Sequence, residues 1–239
     1  MIKSLSLIIP AYNPTDGWED VFLRRYKEFC TAIPEQIPVV LVNDGSSKDI
    51  SEGVRLLQRE LKDNFHYVTY PDNRGKGGAL KAGAVSVDSE LFMFTDIDFP
   101  YSTESMVDVY QAIQAEQGIV TGYRQETYYT DLSNFRTLVS KALRWFNGAI
   151  SGLPTNDTQC GLKAFDRTSK AILLSCKTDR FLIDLELLLA ANNKKINIKP
   201  VLVHLRDNIV FTKFDATVLL KEVFSFLGLI IKYRIFRAK

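Results

Sequence analysis

The chain has 239 residues and a mass of 27.1 kDa, which suffices for one sizeable hydrophobic core but not for a string of modules. Hydrophobic residues make up 46% and charged residues 24%, values that exclude wholesale disorder, a collagen-like fibre and a coiled coil. The 30 Lys and Arg residues against 28 Asp and Glu give a net charge of +2. This balance lacks the basic excess of a dedicated nucleic-acid-binding protein, so nucleic acid is not an expected partner.

Cysteine usage and hydropathy bear on the cellular compartment. The cysteines at 30, 160 and 176 are odd in number and widely spaced, with no CxxC pair. This pattern predicts neither a disulfide framework nor a zinc site and favours a reducing cytoplasm. The apolar run before Pro10 is too short for a signal-peptide core, and no stretch approaches the roughly 20 uninterrupted apolar residues of a spanning helix. The sequence therefore predicts a cytoplasmic protein that does not cross a membrane by itself.

The first half of the chain alternates apolar runs of strand length with amphipathic segments of helix length. Such alternation is typical of βα units on a largely parallel sheet, so the fold class is predicted as α/β with helices flanking the sheet. The predicted strands are Leu5–Ile9, Val39–Val42, Tyr67–Tyr70, Leu91–Phe94 and Gly118–Thr121. The predicted helices are Trp18–Thr31, Lys48–Lys62, Gly78–Val87 and Thr103–Glu116, with Ser47 and Ser102 near helix starts.

After Gly122 the pattern changes to a polar loop and then to a helix, around residues 135–146, with one apolar face. Asn156–Phe165 is predicted as a loop followed by a strand, Phe181–Ala191 as a helix, and Ile196–Leu205 as an extended segment. No repeat, low-complexity tract or Pro/Gly-rich linker interrupts the chain. Residues 1–214 are therefore predicted as one domain, followed by a basic, apolar helix over residues 215–239.

Two carboxylates follow the apolar strand that ends at Phe94. Asp96 and Asp98 are two residues apart, and in an extended chain such residues point the same way, so both can meet one hard divalent cation. Ligands of open α/β sheets bind at the carboxyl ends of strands, where this pair lies. Asp after a strand is also common as a turn former or helix cap, so the pair alone leaves both interpretations open.

Asp44 ends a second predicted strand and leads into a Gly-Ser-Ser turn. Gly45 is predicted to take a positive φ, and Ser46 or Ser47 to cap the next helix. An exposed aspartate at a strand tip can also accept hydrogen bonds from a nucleobase or ribose. A third strand feeds the segment Pro10–Pro14, whose two prolines hold the chain open beyond the sheet. The three strand tips predict one shared ligand crevice.

Glycines and cations are joined in the segment Asp72–Ala79 at the start of a predicted helix. Its backbone N–H groups and helix dipole suit an anionic group, although the Ser or Thr of a P-loop is missing. A flexible, solvated loop is the alternative interpretation.

In chain order the strings IIPAYN, VNDGSS, NRGKGGA and TDID resemble the pattern of glycosyltransferase family 2, whose members have the GT-A nucleotide-sugar fold. The later string DTQCGLKAF, residues 157–165, is similar to the segment of members that glycosylate polyprenyl phosphates, particularly dolichyl-phosphate glucosyltransferases, followed by dolichyl-phosphate mannose synthases. The resemblance covers roughly residues 4–190. It implies an inverting, metal-dependent transfer of a hexose, glucose before mannose, to polyprenyl phosphate.

The resemblance also implies roles for single residues. Asp96 and Asp98 are implied ligands of Mg²⁺ or Mn²⁺, and Asp157 and Gln159 are implied to lie near the sugar. The implied contacts to a nucleotide sugar of the UDP-glucose or GDP-mannose type are Pro10, Ala11, Tyr12, Asn13, Asp44, Lys76 and Asp96. The implied ligands of the acceptor phosphate are Arg124, Arg136 and Ser140, and the last two lie four residues apart on one helical face.

Two positions depart from the family pattern. Phe99 and Pro100 follow the acidic pair where mannose-type members carry a polar residue that completes the metal shell. Asn43 replaces the first of two consecutive acids before the Gly-Ser turn, which keeps a hydrogen-bond acceptor but removes a charge.

The acceptor side leaves alternatives open. Asp184 and Glu186 lie in an apolar helix start, where one of them is either a general base on a sugar hydroxyl or an orienting group for the acceptor site. The first interpretation corresponds to a second function, transfer to a saccharide hydroxyl in capsule or cell-wall assembly. A non-enzymatic nucleotide-sugar-binding module is disfavoured because Asp44, Asp96 and Asp98 are all present.

The predicted helix over residues 215–239 has two interpretations. It is either a core helix with a basic tail or a monotopic anchor whose apolar face enters the lipid and whose cations meet anionic headgroups. The anchor would place the protein peripherally at the inner face of the cell membrane. Its cations are Lys232, Arg234, Arg237 and Lys239.

Overall fold

The computed structural model describes residues 2–125 and 152–206, together with residues 226, 228, 229, 232 and 233. The strands among these residues are β1 (Leu5–Ala11), β2 (Val39–Asp44), β3 (Phe65–Tyr70), β4 (Leu91–Phe94), β5 (Ile119–Tyr123), β6 (Lys163–Asp166) and β7 (Ile198–Leu202). They form one sheet in the order β3-β2-β1-β4-β6-β5-β7. Strand β6 runs antiparallel to both of its neighbours, and the other pairings are parallel. The predicted α/β fold with a mostly parallel sheet is confirmed.

The helices among the described residues are α1 (Trp18–Thr31), α2 (Ser51–Leu61), α3 (Lys76–Ser86), α4 (Thr103–Ala115), α5 (Arg167–Ser175) and α6 (Ile183–Asn193). Helix α4 begins as predicted, because the Ser102 Oγ accepts a hydrogen bond from the Ser105 N–H at 3.2 Å. Helix α5 was not predicted. Its start is marked by Asp166, whose carboxylate accepts a hydrogen bond from the Ser169 N–H at 2.7 Å.

The sheet is covered by helices on both faces. Side chains that alternate along β4 divide between the two layers: Leu91 and Met93 join the cluster formed with α1, α2 and α4, whereas Phe92 and Phe94 join the cluster formed with α3, α5 and α6. Burial on both faces explains why the central strands are continuous apolar runs rather than alternating ones.

Helix α6 lies inside the second cluster, and every residue from 183 to 191 is buried. Phe226, Leu229 and Tyr233 pack against the same cluster and are only 4%, 8% and 7% exposed. These three apolar side chains therefore contact the protein core, as the core-helix interpretation expects. No helix among the described residues is both long and apolar enough to cross a bilayer.

Two sequence predictions fall largely outside the described residues. The helix around residues 135–146, with Arg136 and Ser140, lies in the segment 126–151, and most of the C-terminal segment 215–239 is likewise outside. The division at residue 214 and the membrane anchor remain predictions.

Candidate active site

The carboxyl ends of β1, β2 and β4 lie at one edge of the sheet. In the parallel registers, Ala11 of β1 pairs with Asn43 of β2, and Ile8 of β1 pairs with Phe94 of β4. Because neighbouring parallel strands end at the same edge, the segments that follow them converge there, as predicted. The residues predicted to contact the nucleotide sugar are grouped at this edge.

The acidic pair after β4 lies in a tight turn. The Phe99 N–H donates to the Asp96 carbonyl at 3.0 Å, and Asp98 between them is exposed. Partial burial, followed by the negative charge of Asp96, raises the pKa of Asp98, and Arg206 opposes this only in part. The negative charge of Asp98 is therefore only partly compensated by Arg206.

The residues present fit a hard divalent cation. Carboxylate oxygens are the ligands that Mg²⁺ and Mn²⁺ prefer, and Mg²⁺ commonly takes one or two of them together with substrate phosphates. A Cβ at Gly161 would lie 2.6 Å from Asp96 Oδ2, so only glycine keeps the space beside that oxygen open. In the part of the chain that the structure describes, no group of three or more His, Cys, Asp or Glu forms a cation site. The acidic pair would thus supply only part of a coordination shell.

Asp44 is buried, and its carboxylate is fully engaged with the segment that follows β3. It accepts hydrogen bonds from the Tyr70 hydroxyl at 2.7 Å, the Asn73 side-chain amide at 2.9 Å, and the N–H groups of Arg74 and Gly75, both at 2.8 Å. Asp44 therefore holds that segment in place. The nucleoside contact expected of it stays a prediction.

The glycine-rich segment at the start of α3 packs against residues 178–180. The Gly78 N–H donates to the Asp179 carbonyl at 3.1 Å, and a Cβ at Gly77 would lie 2.7 Å from the Thr178 carbonyl oxygen. The glycines therefore serve close packing against residues 178–180. Asp44 and Asp179 take the N–H groups of Arg74, Gly75 and Gly78, so these three are not open to an anion, and anion binding at this helix start stays a prediction. The residues before the helix are exposed, but Asp44 holds them in place.

The turn after β1 is held by the serines that follow β2. The Asn13 side-chain oxygen accepts from the Ser47 hydroxyl at 3.3 Å, and the Asn13 N–H donates to the Ser46 hydroxyl at 2.9 Å. Helix α2 begins later, at Ser51, so the prediction that these serines cap it was wrong. Gly45 takes the predicted positive φ, at 65°.

The residues of the IIPAYN segment differ in exposure. Ala11 is 1% exposed and Pro10 is half-buried, whereas the Tyr12 side chain is 53% exposed. Tyr12 and Asn13 are therefore the members of this segment that are open to a ligand.

Lys76 points into a chain of alternating charges. Its Nζ lies 3.4 Å from Asp96 Oδ1 and 3.1 Å from Asp184 Oδ2, and the other oxygen of Asp184 lies 2.7 Å from Lys163 Nζ. Burial alone would lower the pKa of Lys76, but Asp184 and Asp96 raise it above its ordinary value. This row of charged side chains connects the edge of the sheet with the buried core.

Lys163 was not singled out from the sequence. It is the first residue of β6 and is 0% exposed. Besides Asp184, its ammonium group donates to the carbonyls of Thr158, at 3.2 Å, and Cys160. Lys163 therefore ties the segment 157–161 to α6, and the signal for it was a lysine in an otherwise apolar strand start.

The two acids of α6, Asp184 and Glu186, contact different groups of the protein. Burial would raise the pKa of Asp184, but Lys163 and Lys76 hold it below its ordinary value. Glu186 is 0% exposed and accepts from the Thr178 N–H at 2.7 Å, Lys232 Nζ at 2.9 Å and the Tyr233 hydroxyl at 2.9 Å.

These contacts to Glu186 outweigh burial and lower the pKa of its carboxyl to about 2. Neither acid has the raised pKa or the exposure of a general base. Glu186 instead fastens Lys232 and Tyr233 to α6.

Two residues assigned to the sugar and the acceptor phosphate meet directly. Arg124 donates through Nε and Nη2 to the two carboxylate oxygens of Asp157, each at 2.8 Å, and its backbone N–H adds a contact at 2.9 Å. The carboxylate raises the pKa of Arg124 although burial opposes it. The pair fixes the guanidinium plane. A cavity of about 440 Å³ adjoins it and is lined by Tyr123, Leu153, Pro154, Thr155, Asn156 and Pro200.

Known proteins resemble this chain over most of its length. The pattern of Glycosyl transferase family 2 matches residues 6–177. The dolichyl-phosphate beta-glucosyltransferase of Drosophila melanogaster is 29% identical over 219 residues, which cover 83% of this chain and 66% of the fly protein. The Mus musculus protein of the same description is 30% identical over 223 residues, 84% of this chain and 67% of the mouse protein. The chain thus spans about two thirds of the length of these relatives.

A solved structure shows the same fold. A mannosyltransferase from Pyrobaculum calidifontis, in complex with GDP-Man and Mn²⁺, is 15% identical and superimposes with a TM-score of 0.64, covering 100% of this chain and 66% of that one. The sequence match over residues 6–177, together with this fold, leads to one conclusion: the chain belongs to glycosyl transferase family 2.

Proposed function

We propose that the protein is a glycosyltransferase that moves a hexose, glucose before mannose, from a nucleotide diphosphate sugar to a polyprenyl phosphate. The observation that carries the choice of acceptor is the engagement of Asp184 by two lysines and of Glu186 by Thr178, Lys232 and Tyr233. A saccharide hydroxyl needs a base to remove its proton. A phosphate acceptor is already anionic near neutral pH and needs none.

On the donor side, Asp96 and Asp98 would hold Mg²⁺ or Mn²⁺. Such a cation neutralises the charge that develops on the departing nucleoside diphosphate. Tyr12, exposed at the end of β1, would line the nucleoside pocket with Ala11 and Asn13. The role of Asp44 follows from its contacts, since it fixes the segment 70–75 beside this pocket.

On the acceptor side, Arg124, Arg136 and Ser140 would bind the polyprenyl phosphate. Asp157 holds the guanidinium of Arg124 in a fixed plane, which reduces the entropy lost when that group binds an anion. An acceptor phosphate oxygen then attacks the anomeric carbon in line. The bond from that carbon to the diphosphate oxygen breaks, its electron pair stays on the leaving diphosphate, and the anomeric configuration inverts.

The relatives support this substrate class. The fly and mouse proteins are described as dolichyl-phosphate beta-glucosyltransferases, and the archaeal neighbour binds GDP-Man and Mn²⁺. A polyprenyl phosphate resides in a membrane, so we place the protein peripherally at the cytoplasmic face. Apart from Lys232, which pairs with Glu186, the basic residues of the segment 215–239 would contact anionic lipid there.

A transfer assay with radiolabelled UDP-glucose and GDP-mannose tests the proposal. Membrane lipid supplies the acceptor, the reaction contains Mg²⁺, Mn²⁺ or EDTA, and the product is extracted into organic solvent. Metal-dependent label in the organic phase is the expected result. Label in a water-soluble saccharide would identify the hydroxyl-transfer function instead, and no transfer with any donor would favour a binding module.

A further inference from the structure

The segment that follows β7 runs along the turn that carries Asp98. The Ser102 N–H donates to the His204 carbonyl at 2.9 Å, and the Arg206 N–H donates to the Pro100 carbonyl at 2.9 Å. A β-bridge between Tyr101 and Leu205 lies between these two bonds. Residues 204–206 therefore form a backbone brace against residues 100–102.

Arg206 extends this brace to the acidic pair itself. Its Nε donates to the Phe99 carbonyl at 2.5 Å, and its Nη2 donates to the Asp98 carbonyl at 2.5 Å. One guanidinium thus spans two successive carbonyl oxygens, and its planar fork fixes both donors in one orientation, which a rotating lysine ammonium does not.

The turn needs such support because of Phe99. This residue has φ 47°, in the left-handed region that a bulky side chain avoids. Its ring is 0% exposed and packs edge-on against Phe22, with centroids 5.2 Å apart. The packing of the Phe99 ring and the hydrogen bonds of the Arg206 guanidinium therefore both hold the turn.

We infer that Arg206 is a positioning residue for the cation site at Asp96 and Asp98. This inference rests on the proposed cation site. Asp98 is exposed, so packing does not orient its carboxylate, and Phe99 and Pro100 offer no polar side chain beside it. The orientation of that carboxylate depends on its own backbone, which Arg206 fixes through the two carbonyls. Partners that orient metal ligands in this way typically affect metal affinity ten- to a hundredfold.

The test measures Mn²⁺ binding to the full chain by EPR, without substrate turnover. We expect Arg206→Ala to raise the Mn²⁺ dissociation constant about tenfold, which corresponds to about 1.4 kcal/mol. Arg206→Lys, which keeps the charge but not the planar fork, should lose about threefold. Arg59→Ala is the matched control, because the Arg59 side chain is 73% exposed and lies 3.9 Å from its nearest carboxylate, on Glu60. Its Mn²⁺ affinity should equal that of the wild type.

Two further measurements separate the alternatives. Binding of UDP in EDTA should be unchanged in Arg206→Ala; a loss there with unchanged Mn²⁺ affinity would show that Arg206 contacts the diphosphate and would overturn the inference. A lower unfolding temperature with wild-type Mn²⁺ affinity would show a purely structural role and overturn it as well. If the alanine variant does not fold, wild-type affinity in the lysine variant has the same consequence.

The controls distinguish this inference from the proposed function. Asp98→Asn should abolish Mn²⁺ binding. A wild-type protein that binds no Mn²⁺, either alone or with UDP present, would overturn both the proposed cation site and the role of Arg206. Equal Mn²⁺ affinity in the wild type and in Arg206→Ala would overturn only the role of Arg206 and leave the transfer reaction standing.

Discussion

Among the acidic pairs spaced two residues apart, Asp96 with Asp98 and Asp184 with Glu186 are used by the fold in opposite ways. The first pair follows the end of β4, where Asp98 is exposed and short of compensating charge. The second pair lies in the first turn of α6 and is buried. There Asp184 contacts Lys76 and Lys163, while Glu186 contacts Thr178, Lys232 and Tyr233.

The difference comes from secondary structure. Asp96 and Asp98 lie in the turn that follows β4, at the edge of the sheet, whereas residues i and i+2 of an α-helix are turned about 200° apart around the axis. Asp184 and Glu186 on the helix therefore face different neighbours, and each is paired separately. The same D-x-[D/E] spacing carries the proposed cation site in one place and two structural ion pairs in the other.

The largest expected effect is at the pair formed by Asp96 and Asp98, which follow β4. Asp98→Asn should slow hexose transfer roughly a thousandfold, because a cation that loses a carboxylate ligand no longer offsets the charge on the leaving diphosphate. The fold should be retained, since Asp98 is exposed. Initial rates together with thermal unfolding measure both quantities. Activity within tenfold of the wild type would contradict a cation site at this pair.

Substitution in the pair Asp184 and Glu186 of α6 should change the free energy of unfolding rather than the rate of transfer. The pKa of Glu186 is lowered from 4.5 to about 2, so its ionised form contributes about 3 kcal/mol of folding free energy above pH 4.5, which is lost as the pH falls towards 2. Glu186→Gln should lower the free energy of unfolding by about this amount at pH 7 and remove this pH dependence. Urea unfolding at pH 7 and pH 3 measures both.

The same Glu186→Gln variant separates stability from chemistry. Its kcat, measured about 15 °C below its unfolding temperature, should stay near that of the wild type. The reason is that, among the described residues, the Glu186 carboxylate contacts Thr178, Lys232 and Tyr233 and no group of the proposed active site. A stable but inactive variant would place Glu186 in the reaction and would restore the general-base alternative.

A smaller effect is expected on the acceptor side, where cations are proposed to bind an acceptor that needs no base. Arg136 lies outside the described residues, and its role comes from the family resemblance. Arg136→Ala should raise the apparent acceptor constant ten- to a hundredfold, equivalent to roughly 1.5–3 kcal/mol, by removing charge-assisted hydrogen bonds. Arg136→Lys should recover part of the loss.

Two titrations check this variant: nucleotide sugar by calorimetry, and a short-chain prenyl phosphate by initial rates. Donor affinity should not change. A loss of donor affinity with an unaltered acceptor constant would place Arg136 on the diphosphate side of the site.

The smallest effect is expected at Asp44, the last residue of β2, whose carboxylate accepts hydrogen bonds from other groups of the protein. Asp44→Asn weakens the charge-assisted bonds to Tyr70, Arg74 and Gly75, so the segment 70–75 should loosen. Nucleotide affinity should fall about tenfold, with kcat changed less. Calorimetry with UDP or GDP, with Asp88→Asn as a surface control, measures this. An unchanged nucleotide dissociation constant would separate Asp44 from the donor pocket.

Periodicity was sufficient where packing is regular. The four apolar residues of β4 and the stripe of α1 were predicted with the bounds that the structure shows, because both elements are buried by many neighbours at once. Helix α5 was missed because only Ile172 and Leu173 of its apolar residues are buried, so its pattern is weak. Ser46 and Ser47 were misassigned because their partner, Asn13, lies more than thirty residues earlier.

The sequence by itself determined the α/β sheet and the edge of the sheet at which Asp96 and Asp98 lie, since these follow from local periodicity and from a position just after a strand. The family was indicated by the resemblance of its motifs. Only the tertiary structure decided which charged side chains are paired with other charged side chains of the protein. The burial of Lys163 depends on Asp184 of α6, and the site of Lys76 depends on Asp96 and Asp184. A buried charge is stable only when a partner is supplied, and that partner comes from an element distant in the chain.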